Sequence, residues 1–160
     1  MTEEELLCDN TAVGVIARDD EGRILMILRE KTFRGYAPPV GHCEGHSYPV
    51  ACFIAFEGET GLIMRGAPRP KIPSNPKKYN VCCREKSEYH NWQIFEVDWI
   101  GAISQNKNQW VGWLTLEEIK RLAEKTEKYL KRLKLAEQAE DKANVEVIKK
   151  AVEKVLKRKS

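Results

Sequence analysis

The spacing of apolar and polar positions predicts most of the secondary structure. From Thr11 the chain reads TAVGVIARDDEGRILMILRE, two β-rich runs on either side of the acidic turn Asp19 to Gly22, which predicts a β-hairpin. Ala37 to His46, APPVGHCEGH, holds two prolines and two glycines, so it predicts a rigid irregular loop. A helix follows. Ser47 is placed to cap it, Pro49 is tolerated in its first turn, and the run Val50 to Glu59 stops before Gly61. On that helix Phe53 and Phe56 form the strip expected to meet the sheet, leaving Val50 and Ile54 as a separate apolar patch.

Residues 67–78, APRPKIPSNPKK, combine four of the seven prolines with Arg69, Lys71, Lys77 and Lys78, which predicts a stiff basic surface loop. Strands are predicted at Tyr79 to Glu85, Trp92 to Ile103 and Trp110 to Leu114, where β-branched and aromatic residues concentrate. Thr115 and Glu118 then form a capping box. Beyond it Leu116, Ile119, Leu122, Ala123, Thr126, Leu130 and Leu133 recur at helical spacing. From Asn144 a second helix carries Val145, Ile148, Val152 and Leu156 on one side and lysines around the rest.

This element order predicts the α/β class, a sandwich built on a mixed sheet with a helical C-terminal extension. The expected division is one domain over residues 1–140 and a basic amphipathic helix over 141–160. The chain has 160 residues and a formal net charge of +3, from 27 Lys and Arg against 24 Asp and Glu, too small an excess to point to nucleic acid. No apolar run reaches the roughly 18 to 20 residues that span a bilayer, so no membrane partner is expected. The opening MTEEELLCDN is acidic, unlike a secretory leader, and the expected location is the cytoplasm. Cys8, Cys43, Cys52, Cys82 and Cys83 are odd in number with no CxxC pair, and are read as free thiols.

The segment GYAPPVGHCEGHSYPVACFIAFEGETGL, Gly35 to Leu62, resembles the signature box of the Nudix hydrolases. It aligns from Pro38 to Leu62 without a gap to a shorter form of that box, PPxGHxDGDSYEEAxxREVxEExGL. The resemblance extends through Asn80, Cys82, Arg84, Glu85, His90, Trp92, Gly112 and Trp113 to Leu130, and so covers about residues 11–130. It implies a Nudix-like α/β/α sandwich. It also implies Mg²⁺ or Mn²⁺ held by the box glutamates, and attack of a metal-activated water on a nucleoside diphosphate linked to another group. Several carboxylates on one face suit that chemistry, because hard divalent cations prefer oxygen ligands and lower the pKa of bound water. A ligand cleft lined by Tyr36, Arg84, Glu85, His90 and Trp92, for an aromatic base or sugar, is implied as well; a strand tryptophan such as Trp92 is more often a core residue by type.

The helix departs from that pattern. Against R-E-x-x-E-E the chain places Ile54, Ala55, Gly58 and Glu59, so only the last carboxylate survives, while Glu44 keeps the loop carboxylate. At about 100° per residue, positions 55, 58 and 59 share one arc of the helix, which reads Ala, Gly, Glu. No acidic residue occurs between Asp98 and Glu117 to replace the missing ones. His42 and His46 with Glu59 form an alternative transition-metal set. The expected function is therefore a binding or regulatory protein for a nucleotide-diphosphate small molecule, with hydrolysis lost or strongly reduced. One rival is an active hydrolase using Glu44, Glu59 and Mg²⁺ or Mn²⁺. The other is a structural subunit that docks on a protein partner, or on a second copy, through Val50, Ile54 and the C-terminal helix.

Overall fold

A computed structural model describes residues 10–29, 35–71, 77–79, 89–104 and 109–156. In chain order the elements are β1 (Thr11–Ile16), β2 (Ile24–Arg29), β3 (Gly35–Ala37), β4 (Val40–His42), α1 (Tyr48–Thr60), β5 (Ile63–Pro70), β6 (Lys77–Tyr79), β7 (Tyr89–Ile100), β8 (Val111–Leu114), α2 (Leu116–Gln138) and α3 (Lys142–Leu156). One sheet is ordered β4-β1-β7-β5, with β6 also paired to β7. Its β1 and β7 run parallel and its other pairs antiparallel, so it is the mixed sheet expected. A second, antiparallel sheet is ordered β3-β2-β8.

The turn at Asp19 forms as predicted: its carboxylate accepts the Glu21 and Arg23 amides at 3.0 and 2.8 Å, and Gly22 takes a positive φ of 77°. The hairpin does not continue, however. Arg18 and Ile24 make one isolated bridge, and then β1 and β2 part into different sheets. The loop expected from Ala37 to His46 is likewise corrected. Two three-residue strands, β3 and β4, lie on either side of Pro38 and Pro39, and the chain crosses there from one sheet to the other. Residues 67–70 belong to β5 rather than to a loop. The prolines are tolerated because β5 is an edge strand whose register slips between Arg65 and Arg69.

α1 begins as its sequence predicts, with the Ser47 hydroxyl accepting the Val50 amide at 3.4 Å. Its end is more constrained than a breaker glycine alone implies. Gly61 sits at φ 74°, and a Cβ there would lie 2.4 Å from Cβ of Ser104, whose amide donates to the Thr60 carbonyl at 2.8 Å. The fully buried Thr60 hydroxyl donates to the Phe56 carbonyl at 2.6 Å and accepts the Leu62 amide at 3.1 Å. The helix buries Ala51, Cys52, Ala55 and Phe56 against Val13, Val15, Phe95 and Val97 of the mixed sheet. Leu25 of β2 joins that core, and the Trp99 and Trp113 rings, 5.0 Å apart, link the two sheets. Phe53 is not part of this contact. It is 45% exposed, because its neighbours Cys52 and Phe56 occupy the sheet-facing arc.

α2 opens on the predicted capping box, in which Thr115 and Glu118 each satisfy the other's backbone amide. α3 folds back on it. Ala136 of α2 and Ile148 of α3 are buried together, with Val145, Leu28 of β2 and Tyr36 of β3 packed around them. Leu130, Leu133, Val152 and Leu156 belong to the predicted stripes, but their side chains lie outside the described residues. Among the described residues no helix is long and apolar enough to cross a membrane.

The link between α2 and α3 is a left-handed cap on a residue that disfavours it. Glu140 has φ 56°, its amide reaches the Glu137 carbonyl at 3.1 Å, and the Asp141 amide reaches the Ala136 carbonyl at 3.1 Å. Asp141 then caps α3 by accepting the Asn144 amide at 3.1 Å. Glu140→Gly is expected to stabilise the protein by about 0.5 to 1 kcal/mol, since glycine adopts this conformation without a Cβ clash. The change is read as a higher urea midpoint at unchanged slope. An unchanged midpoint would mean that the cap carries no strain.

Candidate functional site

The face of α1 that aligns with the metal-binding glutamates splits into three environments. Ala55 is only 9% exposed and packs on β4, so closely that a Cβ added to Gly41 would stand 3.1 Å from the Ala55 Cβ. Gly58 is exposed, and nothing lies within 4 Å of where its Cβ would be. Glu59 is half-buried at the lip between them. Burial pushes its carboxyl up to about 7, although the Val40 amide hydrogen bond and the charge of Arg29 both pull it down. Glu57, which the box alignment leaves without a role, has a structural one: its Oε2 accepts the Met64 amide at 2.9 Å and fixes the start of β5.

The loop residues do not gather around Glu59. Glu44 and Gly45 have positive φ values of 51° and 84°, in an exposed turn closed by the His46 amide bonding to the Cys43 carbonyl at 2.9 Å. His42 faces the other way. In register, Ala12 of β1 lies between His42 on β4 and Trp92 on β7, so these three share one face of the sheet, and Gly41 and Val13 point to the opposite face, where α1 packs. The His42 ring lies 5.3 Å from that of His90, which is 3% exposed and 6.0 Å from the Trp92 ring. The sheet thus separates His42 from the helix that carries Glu59. Among the described residues no three His, Cys, Asp or Glu side chains are placed to hold a metal ion. Arg84 and Glu85 lie outside the described residues. Cys43 and Cys52 are buried and outside any disulfide, and burial pushes the Cys52 thiol up to about 12.

Mg²⁺ or Mn²⁺ does not fit this face. Such ions need several oxygen ligands together, whereas this arc of α1 offers one carboxyl, Glu59, bonded to a backbone amide and only partly ionised at neutral pH, and Glu57 is committed to the Met64 amide. Tyr36 lies elsewhere. It is half-buried on β3, with its ring edge-on to Trp110 at 5.5 Å, and it lines a groove of about 420 Å³ against α2. Sequence reasoning proposed Tyr36 but missed its partners in that groove, Ile119, Leu122, Thr126 and Lys134. The helical stripe of α2 contained the first three, but nothing in the sequence placed them opposite β3.

Two outcomes are expected from the divided face. Gly58→Ala should stabilise the fold by about 0.5 to 1 kcal/mol and Ala55→Glu should destabilise it by about 3 kcal/mol or more, both measured by chemical denaturation. Equal effects would contradict the difference in burial. For Glu59, the folded carboxyl titrates near 7 against 4.5 when unconstrained, so the folded state holds the extra proton between those values. Its contribution to stability is full below about 4.5 and falls as pH rises through about 7, by up to about 3 kcal/mol. The difference in Tm between wild type and Glu59→Gln should therefore change across pH 4.5 to 7 in favour of the variant. A constant difference would mean an ordinary exposed carboxylate.

No protein-family model matches the chain, and no curated protein sequence matches it. Its structure is similar to that of MutT, studied from Aliivibrio salmonicida and Vibrio cholerae, with TM-score 0.52 and 17% identity over 71% of this chain and 83% of that one. A UDP-X diphosphatase matches at TM-score 0.53 and 16% identity over 73% of this chain, which spans 61% of that longer one. A Listeria monocytogenes protein described as a NUDIX hydrolase matches at TM-score 0.50 and 13% identity, over 69% and 81% of the two chains. At these identities the likeness is one of fold. Two sheets and a box helix packed on the mixed sheet give this chain the Nudix-like fold that its Gly35 to Leu62 segment resembles.

Proposed function

We propose that this chain is a cytoplasmic Nudix-fold binding protein in which metal-dependent pyrophosphohydrolysis is lost or strongly reduced. The observation that carries the reading is the state of α1. Ala55 is packed shut against β4, Gly58 presents no side chain, and the Glu59 carboxyl bonds to the Val40 amide and keeps its proton to about pH 7. Water activation by a metal requires a cation held by several hard ligands, and one such carboxyl cannot offset a diphosphate's charge. The ligand class proposed is a nucleoside diphosphate bearing a second group. A UDP-X diphosphatase among the similar folds supports that class. Without the carboxylate cluster, the face carries less negative charge to repel such an anion in the absence of metal.

A second reading rests on a separate observation. Val50, Phe53 and Ile54 are 44%, 45% and 49% exposed along one stripe of α1, a surface suited to a protein partner or a second copy.

The experiment combines turnover with binding. ADP-ribose, UDP-glucose and nucleoside triphosphates are incubated with the protein and Mg²⁺ or Mn²⁺, and their metal-free binding is followed by calorimetry. Turnover at least a thousandfold below about 1 per second, with saturable metal-free binding of one of them, is the expected result. Turnover near 1 per second that Glu59→Gln abolishes would restore the hydrolase reading. Neither turnover nor binding would leave docking through the α1 stripe.

A further inference from the structure

The hairpin of α2 and α3 presents a face whose centre is apolar and open. Ala136 and Ile148 are buried toward Leu28 and Tyr36, whereas Leu135 and Val147, one residue earlier on each helix, are 66% and 65% exposed. Between them runs a groove of about 620 Å³ with Ala136, Ala139, Ile148 and Ala151 along it. Isolated exposed aliphatics are ordinary on a protein surface, but these two adjoin one trough of small residues. The face therefore carries both knobs and holes.

The charges around the groove divide along its length. One end is the α2–α3 turn, where Glu140 and Asp141 are adjacent and Asp141 lines the groove. One Asp141 oxygen accepts the Asn144 amide at 3.1 Å, which leaves the other for a cation. Lys142 does not offset these acids, because it precedes Val147 by five residues and so lies about 140° away around α3. The other end is basic. Arg132 lines the groove about 10 Å along α2 from the turn. Lys128 precedes Leu135 by seven residues, and Lys150 and Lys154 follow Val147 by three and seven, which puts them on the same helix faces. Lys131 is paired with Glu127 at 3.1 Å and adds no net charge there.

We infer that this face binds a second copy of the chain, the two hairpins lying antiparallel about a two-fold axis that crosses the groove at the level of Leu135 and Val147. The axis lays the basic end of each copy on the acidic turn of the other, so Arg132 in each faces Asp141 in the other. An acidic peptide would match only the basic end, and a small ligand would leave Leu135 and Val147 in water. A second copy answers both ends and covers both side chains in each protomer. The interface goes beyond the function proposed above and does not depend on it. It is also distinct from the α1 stripe of Val50, Phe53 and Ile54, because the α2–α3 pair stands on Leu28 and Tyr36 of the smaller sheet.

The experiment is sedimentation equilibrium of the full chain, from about 1 to 200 μM. A monomer–dimer equilibrium with Kd of about 50 μM or tighter is expected, weakened at least about thirtyfold by Leu135→Asp, an exposed position that the fold tolerates. Arg132→Glu and Glu140→Lys should each weaken the dimer at least about fivefold, and the two together should restore it to within about threefold of wild type, because the reversed charges again face each other. Phe53→Asp on α1 should leave it unchanged. A monomer over the whole range would overturn the inference, as would a dimer that Leu135→Asp leaves intact or that Phe53→Asp dissociates. A double charge variant no better than the singles would equally overturn it, since the antiparallel pairing of the two ends would then be absent.

Discussion

The closeness of α1 to β4 is the constraint on which the rest of this structure depends. At Gly41 the strand has no side chain, and at Ala55 the helix has only a methyl group, so the two backbones approach until an added Cβ would be 3.1 Å from its neighbour. That approach seats Phe56 and Cys52 in the core with no exposure and aligns the helix over Val13, Val15, Phe95 and Val97. The same contact determines the chemistry of the helix. Position 55 cannot carry a carboxylate without burying it, and burial of Glu59 raises its carboxyl to about 7 even though the strand's Val40 amide bond opposes the shift.

The far end of α1 is equally fixed. Thr60, Gly61 and Ser104 interlock through two backbone carbonyls and a left-handed turn, so the helix cannot slide or rotate to expose another arc. The arc that carries Ala55, Gly58 and Glu59 is therefore held in a rigid frame. The stripe of Val50, Phe53 and Ile54, by contrast, is left at the surface because the terminal helices pack on the other sheet.

Tyr36 is the counterpart of Phe56 on that side of the molecule. It contacts Trp110, lies beside the buried pair Ala136 and Ile148, and borders the open groove along α2. One residue thus joins the smaller sheet to the helical pair and shapes the cavity between them. The basic helices, which composition alone marks as a charged extension, become a wall of the fold.

Local signals in the sequence were enough for the helices and their caps, because Ser47, Gly61 and the Thr115–Glu118 box act within one turn of chain. They also sufficed to show that three of the four box positions depart from the pattern, which is a matter of residue identity. Non-local pairing was a different matter. The Asp19 turn signals a hairpin, yet whether β1 and β2 stay paired depends on partners far along the chain, and each strand found a better one in β7 or β8. Prolines that read as a loop became an edge strand for the same reason. His42, His46 and Glu59 are close in sequence, but strand alternation points His42 away from α1, so proximity along the chain did not become proximity in space. The sequence by itself determined the helices, the sheet-bearing class and the residues Ile54, Ala55 and Gly58 that depart from the box pattern. Tertiary structure alone decided which face each strand residue serves, the burial that raises the Glu59 carboxyl, and the groove beside Tyr36, because each arises where two segments distant in sequence pack together.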